Sequence, residues 1–513
     1  MKENNITLIK KREYDPVDIE NDYTLPDYIT DVRKLVGYES KAKINNVYST
    51  DGYFMFEGEV TYSVIVVCED NSIKNLIYTE EFGFNAQGVN SEICVHECNI
   101  ETSSARLISP RKINCKSKIR VITKNSVDED IDTCYQGVGM PEAEFTLEKK
   151  MSECEYVTFS DEELQNQRGS RDIELSSSKE EIVNIVYCRI YIRINERKLM
   201  DEKLFLRGET VAEILYEGAS GRYIKICDRS PFNDVINNLN GTDIHLCDVI
   251  VSDIKAKARN NTFGEMKIIE LDYSYSIRCR CYAKRKIELL CDAYSTEYDL
   301  ECKSNSVSAL KLNTIFSSSL SINDSCSIKE ITDDNVMDIV DYSITVLSVN
   351  VKPDIISRKL IISGDLKIDV LYKAEEYSGI SFTRPYKYER EYDGVSGDIY
   401  CDHRINGQMI SCTVDNERLM INAEIYFNVM ISEHSEYKYI DECTFRESES
   451  NSCSPVIIYY PSEDDTLWEI AKKYKTTCKD IISANNLTSE SLEEIKVLLL
   501  PRKKQRSVYN TII

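Results

Sequence analysis

The sequence predicts a mainly β protein, with three tandem antiparallel β-sandwich or barrel-like units followed by a small α+β module of βααβ order. Three observations carry that prediction. Long stretches alternate apolar and polar residues with period two, as in Ser274-Tyr275-Ser276-Ile277-Arg278-Cys279-Arg280-Cys281-Tyr282, the mark of half-buried antiparallel strands. One glycine-centred strand recurs at the spacing of a whole domain. Only the stretch 455–502 combines helix periodicity with helix-start signals.

The recurring strand runs from Phe56-Glu57-Gly58-Glu59-Val60 to Val64-Ile65-Val66, from Leu206-Arg207-Gly208-Glu209-Thr210 to Ile214-Leu215-Tyr216, and from Ile362-Ser363-Gly364-Asp365-Leu366 to Val370-Leu371-Tyr372. Each glycine is followed by an acidic residue, and the next apolar triplet falls at the same distance in all three copies. A second landmark keeps the register: Lys112-Ile113-Asn114-Cys115, Ile268-Ile269-Glu270-Leu271 and Met420-Ile421-Asn422-Ala423 open alternating segments downstream of each glycine. The units are placed at 14–128, 172–303 and 328–446. Polar, Ser-rich or charged stretches at 160–178, 304–325 and 447–454 are expected as linkers, the last allowing the terminal module to move independently.

The fourth unit, 455–502, begins with a strand, Val456-Ile457-Ile458-Tyr459-Tyr460, stopped by Pro461. Thr466 stands three residues before Glu469, the spacing of a capping box, and Leu467, Ile470, Ala471 and Tyr474 give that helix an apolar face. A second helix starts at Thr477, with Asp480 three residues on, and stops at Asn485-Asn486, where Asn supplies a left-handed residue. Ile495 to Leu500 reads as the closing strand. Trp468, the only Trp, is read as core of this small fold.

The 513 residues carry a formal net charge of −24, which disfavours nucleic acid and anionic lipid as partners. Met1-Lys2-Glu3 leads into Lys10-Lys11-Arg12-Glu13 without the apolar segment of a secretory leader, and no run has membrane-spanning length, so a cytosolic protein without direct membrane insertion is expected. The 19 Cys residues are scattered and are read as small buried hydrophobes of a reducing compartment. No catalytic pattern emerges: the four His form no metalloprotease pair, Gly137-Val138-Gly139 lacks a dinucleotide loop's third glycine, and Gly394-Val395-Ser396-Gly397 is one residue short of a nucleophile elbow. Cys94, His96 and Cys98 share a strand face but offer too few ligands for zinc. The protein is expected not to be an enzyme and to need no cofactor or metal.

Asp465-Thr466-Leu467-Trp468, Ile470-Ala471-Lys472-Lys473-Tyr474 and Asn485-Asn486-Leu487 resemble the successive submotifs of a LysM domain. That resemblance implies binding of N-acetylglucosamine polymers in a shallow groove between the loop before the first helix and the loop after the second, formed here by Asp465, Thr466 and Leu467 and by Asn485, Asn486 and Leu487. Asp464 replaces the family's usual Gly, and Ser491-Leu492-Glu493-Glu494-Ile495 replaces its Pro-Gly turn. Leu25-Pro26-Asp27, ahead of a brief amphipathic stretch, resembles the opening of the SPOCS domain, found repeated in spore-coat proteins. Three such units and a terminal LysM module resemble, over nearly the whole length, the spore-coat morphogenetic proteins of that architecture. The resemblance implies a scaffold in the mother-cell cytoplasm at the forespore surface. It would bind the coat's basement-layer ATPase, stage IV sporulation protein A, near Asp464, Thr466, Leu467, Ile481 and Asn486, and tether the coat. The alternative it leaves is a peptidoglycan-binding protein of the wall or cortex.

Overall fold

The computed structural model describes residues 5–50, 53–87, 95–131, 136–138, 145–237, 242, 244–394, 397–447, 456–493 and 495–501. Its first unit comprises β1 (Asn5–Glu13), β2 (Val17–Thr24), β3 (Val32–Thr50), β4 (Tyr53–Cys68), β5 (Ile73–Gln87), β6 (Val95–Ser109) and β7 (Lys112–Asp130). β3–β4–β5 form one antiparallel sheet; β7 is the centre of the other, flanked by β6 and by the consecutive strands β1 and β2. Val60, Tyr62 and Val64 of β4 pack against Ile113, Cys115 and Ile119 of β7, so the unit is a β-sandwich whose inner faces carry the apolar half of each alternation.

A short strand, β8 (Gln136–Val138), precedes the second unit, which contains β9 (Leu147–Glu174), β10 (Ile182–Met200), β11 (Lys203–Gly218), β12 (Tyr223–Ile236), β13 (Ile244–Asn260) and β14 (Met266–Ser295). Pairing repeats the first unit: β10–β11–β12 in one sheet, β9–β14–β13 in the other. The third unit repeats it again, with β15 (Tyr298–Ser327), β16 (Asp338–Val346), β17 (Asn350–Asp354), β18 (Lys359–Lys373), β19 (Tyr377–Glu391), β20 (Ile399–Asp415) and β21 (Arg418–Glu447). There β16 and β17 share the place of β3 beside β18, and β15–β21–β20 form the second sheet. The expected linkers at 160–178 and 304–325 are instead largely strand, within β9 and β15, whose polar residues lie on exposed faces of long ribbons. Residues 448–454 of the third expected linker lie outside the described residues.

The landmark glycine has one physical cause in all three copies. A Cβ on Gly58, Gly208 or Gly364 would stand 2.4, 1.8 or 1.9 Å from the carbonyl oxygen of Lys43, Arg193 or Ser348, the first two beside a break in the pairing of the neighbouring strand and the third in the gap between β16 and β17. Only a residue without Cβ admits that approach.

The units close into a ring. Ile73 N–H of the first donates to Tyr223 Oη of the second at 2.8 Å; Lys225 Nζ of the second donates to the Tyr342 carbonyl of the third at 2.7 Å; Lys34 Nζ of the first donates to Ser378 Oγ of the third at 2.5 Å. Ile65, Leu215 and Leu371, the middle residues of the three apolar triplets, share one core at this junction. At a second junction Lys124 and Glu97 of the first unit, Arg280 and Tyr282 of the second, and Asp402 and Arg404 of the third form a buried charge cluster. Lys124 lies 3.2 Å from Glu97 and 3.1 Å from Asp402, and Arg280 lies 2.5 Å from Asp402. Burial would raise the Glu97 pKa, but the Lys124, Arg280 and Arg404 charges override it and hold the carboxyl at about 2.

The structure draws a disulfide between Cys247 and Cys279, neighbours across β13–β14, in place of the packed thiol expected at Cys279. Of the Cys94–His96–Cys98 constellation, Cys94 lies outside the described residues, as do Gly139 and the Val395-Ser396 pair.

Candidate functional site

The terminal module forms β22 (Val456–Tyr459), α1 (Leu467–Tyr474), α2 (Cys478–Asn485) and β23 (Leu498–Pro501), with β22 and β23 antiparallel. Thr466 Oγ1 accepts from Glu469 N–H at 3.3 Å and Thr477 Oγ1 from Asp480 N–H at 3.0 Å, so both predicted N-caps form. α1 ends at a left-handed Lys475 and α2 at a left-handed Asn486 (φ 50°). β23 begins three residues later than the alternation implied. Residues 495–497 are irregular, and Ile495 N–H is bonded to the Leu492 carbonyl at 3.1 Å.

The candidate residues divide into three groups. Leu467 and Ile481, placed at the partner surface from the sequence, are 2% and 0% exposed and belong to the module's core with Ile470, Ala471, Leu498 and Leu500. Helix periodicity assigns them to the apolar face, and that face is turned inward. Asn485 and Asp465 are committed internally. Asn485 Nδ2 donates to the Ile481 and Leu499 carbonyls at 2.8 and 2.7 Å, and its Oδ1 accepts from Leu499 N–H at 2.7 Å; Asp465 Oδ2 accepts from Tyr459 Oη and Ser462 N–H, both at 2.8 Å. The Ser462 amide and Tyr459 hydroxyl bonds hold the Asp465 carboxyl below its usual range. Asp464, Thr466 and Asn486 are exposed, and Leu487 is half-buried against the core.

The module is not free on a tether. It is seated where β14 passes into β15: Trp468 Nε1 donates to Asp292 Oδ2 at 2.7 Å and Lys472 Nζ reaches Asp292 Oδ1 at 2.6 Å. Tyr294 Oη donates to the Thr476 carbonyl at 2.9 Å, its ring meets the indole edge-on at 4.9 Å, and Lys475 pairs with Asp299 at 2.5 Å. Burial alone would raise the Asp292 pKa, but the Lys472 and Trp468 hydrogen bonds keep it below its usual value. Trp468 packs as the sequence implied and also fastens the module to the platform.

The two strands of the module also carry a second face. Ile457, Tyr459, Leu498 and Leu500 pack on the module's core, whereas Val456, Ile458, Tyr460, Val497 and Leu499 stand on the other side of the two strands at 51, 61, 72, 44 and 41% exposure. Ile458 and Leu499 are direct cross-strand partners, as are Val456 and Pro501. The signal was present, because a two-stranded sheet covered on one face should alternate and β22 is apolar at every position.

Residues 462–501 match the LysM domain family. No curated protein and no solved structure matches the chain. The chain therefore carries a LysM module, a type that suggests carbohydrate or peptidoglycan binding, at the end of a mainly β platform. Among the described residues no helix is long and apolar enough to cross a membrane.

Proposed function

We propose that this protein is a non-catalytic assembly scaffold in which three interlocked β-sandwiches hold a LysM module in a fixed orientation for a protein partner. The observation that carries the proposal is the exposed apolar outer face of β22–β23. A large side chain left in water forgoes about 1.5–3 kcal/mol that burial would recover, and five such residues share one side of a module of only two strands and two helices. Clustered apolar exposure on a small surface is the usual mark of a protein contact. The seat on Asp292, Tyr294 and Asp299 supports the same reading, because a module clamped to a rigid body presents its free face without ordering cost.

By resemblance to SipL-like coat proteins, the partner is stage IV sporulation protein A, the site of action is the mother-cell face of the forespore, and the three sandwiches are SPOCS repeats. Exposed Glu463 and Asp464, in the loop that follows β22, favour a partner that carries basic groups. The test is recovery of stage IV sporulation protein A from sporulating cells by the intact chain and by a truncation ending at 454. Recovery by the intact chain alone supports the proposal; equal recovery by the truncation overturns it.

A second reading is favoured by the family match: the exposed Thr466 and Asn486 flank the groove in which LysM modules take N-acetylglucosamine polymers. In this chain two of the groove's polar side chains, Asp465 and Asn485, are spent on internal bonds. Titration of the intact chain with chitin oligomers separates the readings, with saturable binding lost in Asn486→Ala supporting the glycan.

A further inference from the structure

The outer face of the β3–β4–β5 sheet holds a cavity of about 530 Å³, within the size range of ligand sites. Asn45 and Asn46 of β3, Met55 and Glu57 of β4, and Glu81 and Gly83 of β5 are among its lining residues, and no lysine or arginine is among them. Asn46 Nδ2 donates to Glu57 at 3.4 Å and Asn45 Nδ2 to Glu59 at 3.3 Å, which commits one N–H of each amide; Asn85 is the third amide of the lining, so two carboxylates and three amide carbonyls face at most four remaining side-chain N–H groups. What remains for a guest is acceptor-rich: carboxylate oxygens and amide carbonyls. A sugar hydroxyl both donates and accepts, whereas a guanidinium offers five donors and no acceptor. Met55, 43% exposed, supplies an apolar wall of the kind along which an arginine's methylene stem packs.

The other two sandwiches serve as internal controls. At the positions of Glu57, Glu81 and Gly83, strand register places Arg207, Pro231 and Asn233 in the second unit and Ser363, Pro385 and Lys387 in the third. Both lose the two carboxylates and put a side chain where the first unit has none. Gly83 is not required by the backbone, since a Cβ there would meet the Phe56 carbonyl oxygen at an ordinary 3.4 Å. Its missing side chain is what leaves the space.

We propose that this cavity receives an arginine side chain presented by an extended segment of a protein partner. The site is separate from the LysM module and gives the scaffold a second contact on its first sandwich. The probe is an acetylated, amidated Gly-Arg-Gly-Arg-Gly pentapeptide, titrated into the full chain carrying methyl-labelled methionine, with the Met55 methyl resonance as reporter. The expected result is a saturable Met55 shift that weakens at least about tenfold when citrulline, neutral and of the same shape, replaces arginine, because a charge-assisted bond becomes a neutral one. Glu57→Gln and Gly83→Asn should each abolish that shift while leaving the thermal unfolding midpoint in place; the second adds a side chain the backbone tolerates. Equal affinity for the citrulline peptide, or an unchanged shift in Gly83→Asn, overturns the proposal. So does saturation by chitobiose without response to the arginine peptide, which would assign the cavity to a glycan.

Discussion

Asp292→Ala should release the LysM module from its seat without unfolding either part. The carboxylate accepts from Trp468 Nε1 at 2.7 Å and from Lys472 Nζ at 2.6 Å. A hydrogen bond to a charged group is worth about 1.5–3 kcal/mol, and the half-exposed lysine pair adds under about 1 kcal/mol. The substitution therefore removes roughly 2–4 kcal/mol from a seat that retains the Tyr294 bond and the Lys475–Asp299 pair. The assay is direct because Trp468 is the only tryptophan. Its emission should move to longer wavelength as the indole loses Asp292, and amide exchange should rise in α1 and where β14 passes into β15 while the sandwich cores stay protected. Because the Asp292 pKa is depressed on folding, its contribution is present above the unfolded value and disappears as pH falls through the folded one, so the seat should hold at neutral pH and weaken only in acid. Unchanged emission and exchange in Asp292→Ala would refute the seat.

Asp402, 2% exposed and paired with Arg280 and Lys124, should cost about 3–5 kcal/mol when replaced by Ala, because the cations of a buried pair lose their partner; guanidinium denaturation checks this. Asp161→Asn should stabilise the protein at pH 7.5 and do so clearly less at pH 4.5. Burial raises the Asp161 carboxyl to about 6 despite the Arg278 charge, so stability falls as pH rises from the unfolded value through 6; thermal melts across that range read it out. Gly208→Ala should destabilise the second sandwich by several kcal/mol, on the order of other core overpacking or more, because the added carbon would stand 1.8 Å from the Arg193 carbonyl oxygen, a backbone atom that cannot rotate away.

Much of the fold is legible in local pattern. Period two identifies the strands, the Thr-x-x-Glu and Thr-x-x-Asp spacings locate both helix starts, and the recurring glycine marks equivalent strands because the same backbone approach demands it in each unit. The ring was less accessible. In Val64-Ile65-Val66 and Ile214-Leu215-Tyr216 alternation breaks because the outer residues serve their own sandwich and the middle ones a neighbouring unit, but a run buried on both faces does not say against what. Residues 160–178 and 304–325 resemble linkers because the exposed faces of long ribbons use the same Ser, Asn and Glu as loops, although Val307, Ala309, Leu310 and Phe316 bury the other side of the second. In the module, motif position located the groove, while burial removes Leu467 and Ile481 from its surface and internal bonds occupy Asp465 and Asn485. The apolar outer face is not marked by β22 alone, because a run apolar at every position does not say which residues face out until β23 pairs with it.

The most direct test of the scaffold account is the affinity of purified stage IV sporulation protein A for the full chain and two double variants, with the module's fold checked by Trp468 emission. Ile458→Glu with Leu499→Glu places charges at an exposed cross-strand pair and should weaken binding by roughly 100-fold, equivalent to about 3 kcal/mol. Thr466→Ser, which keeps the hydroxyl that caps α1, with Asn486→Ala, both on the groove side, should leave it within about threefold. Loss of binding in the groove variant with full affinity in the sheet-face variant would contradict the account and return the contact to the loops.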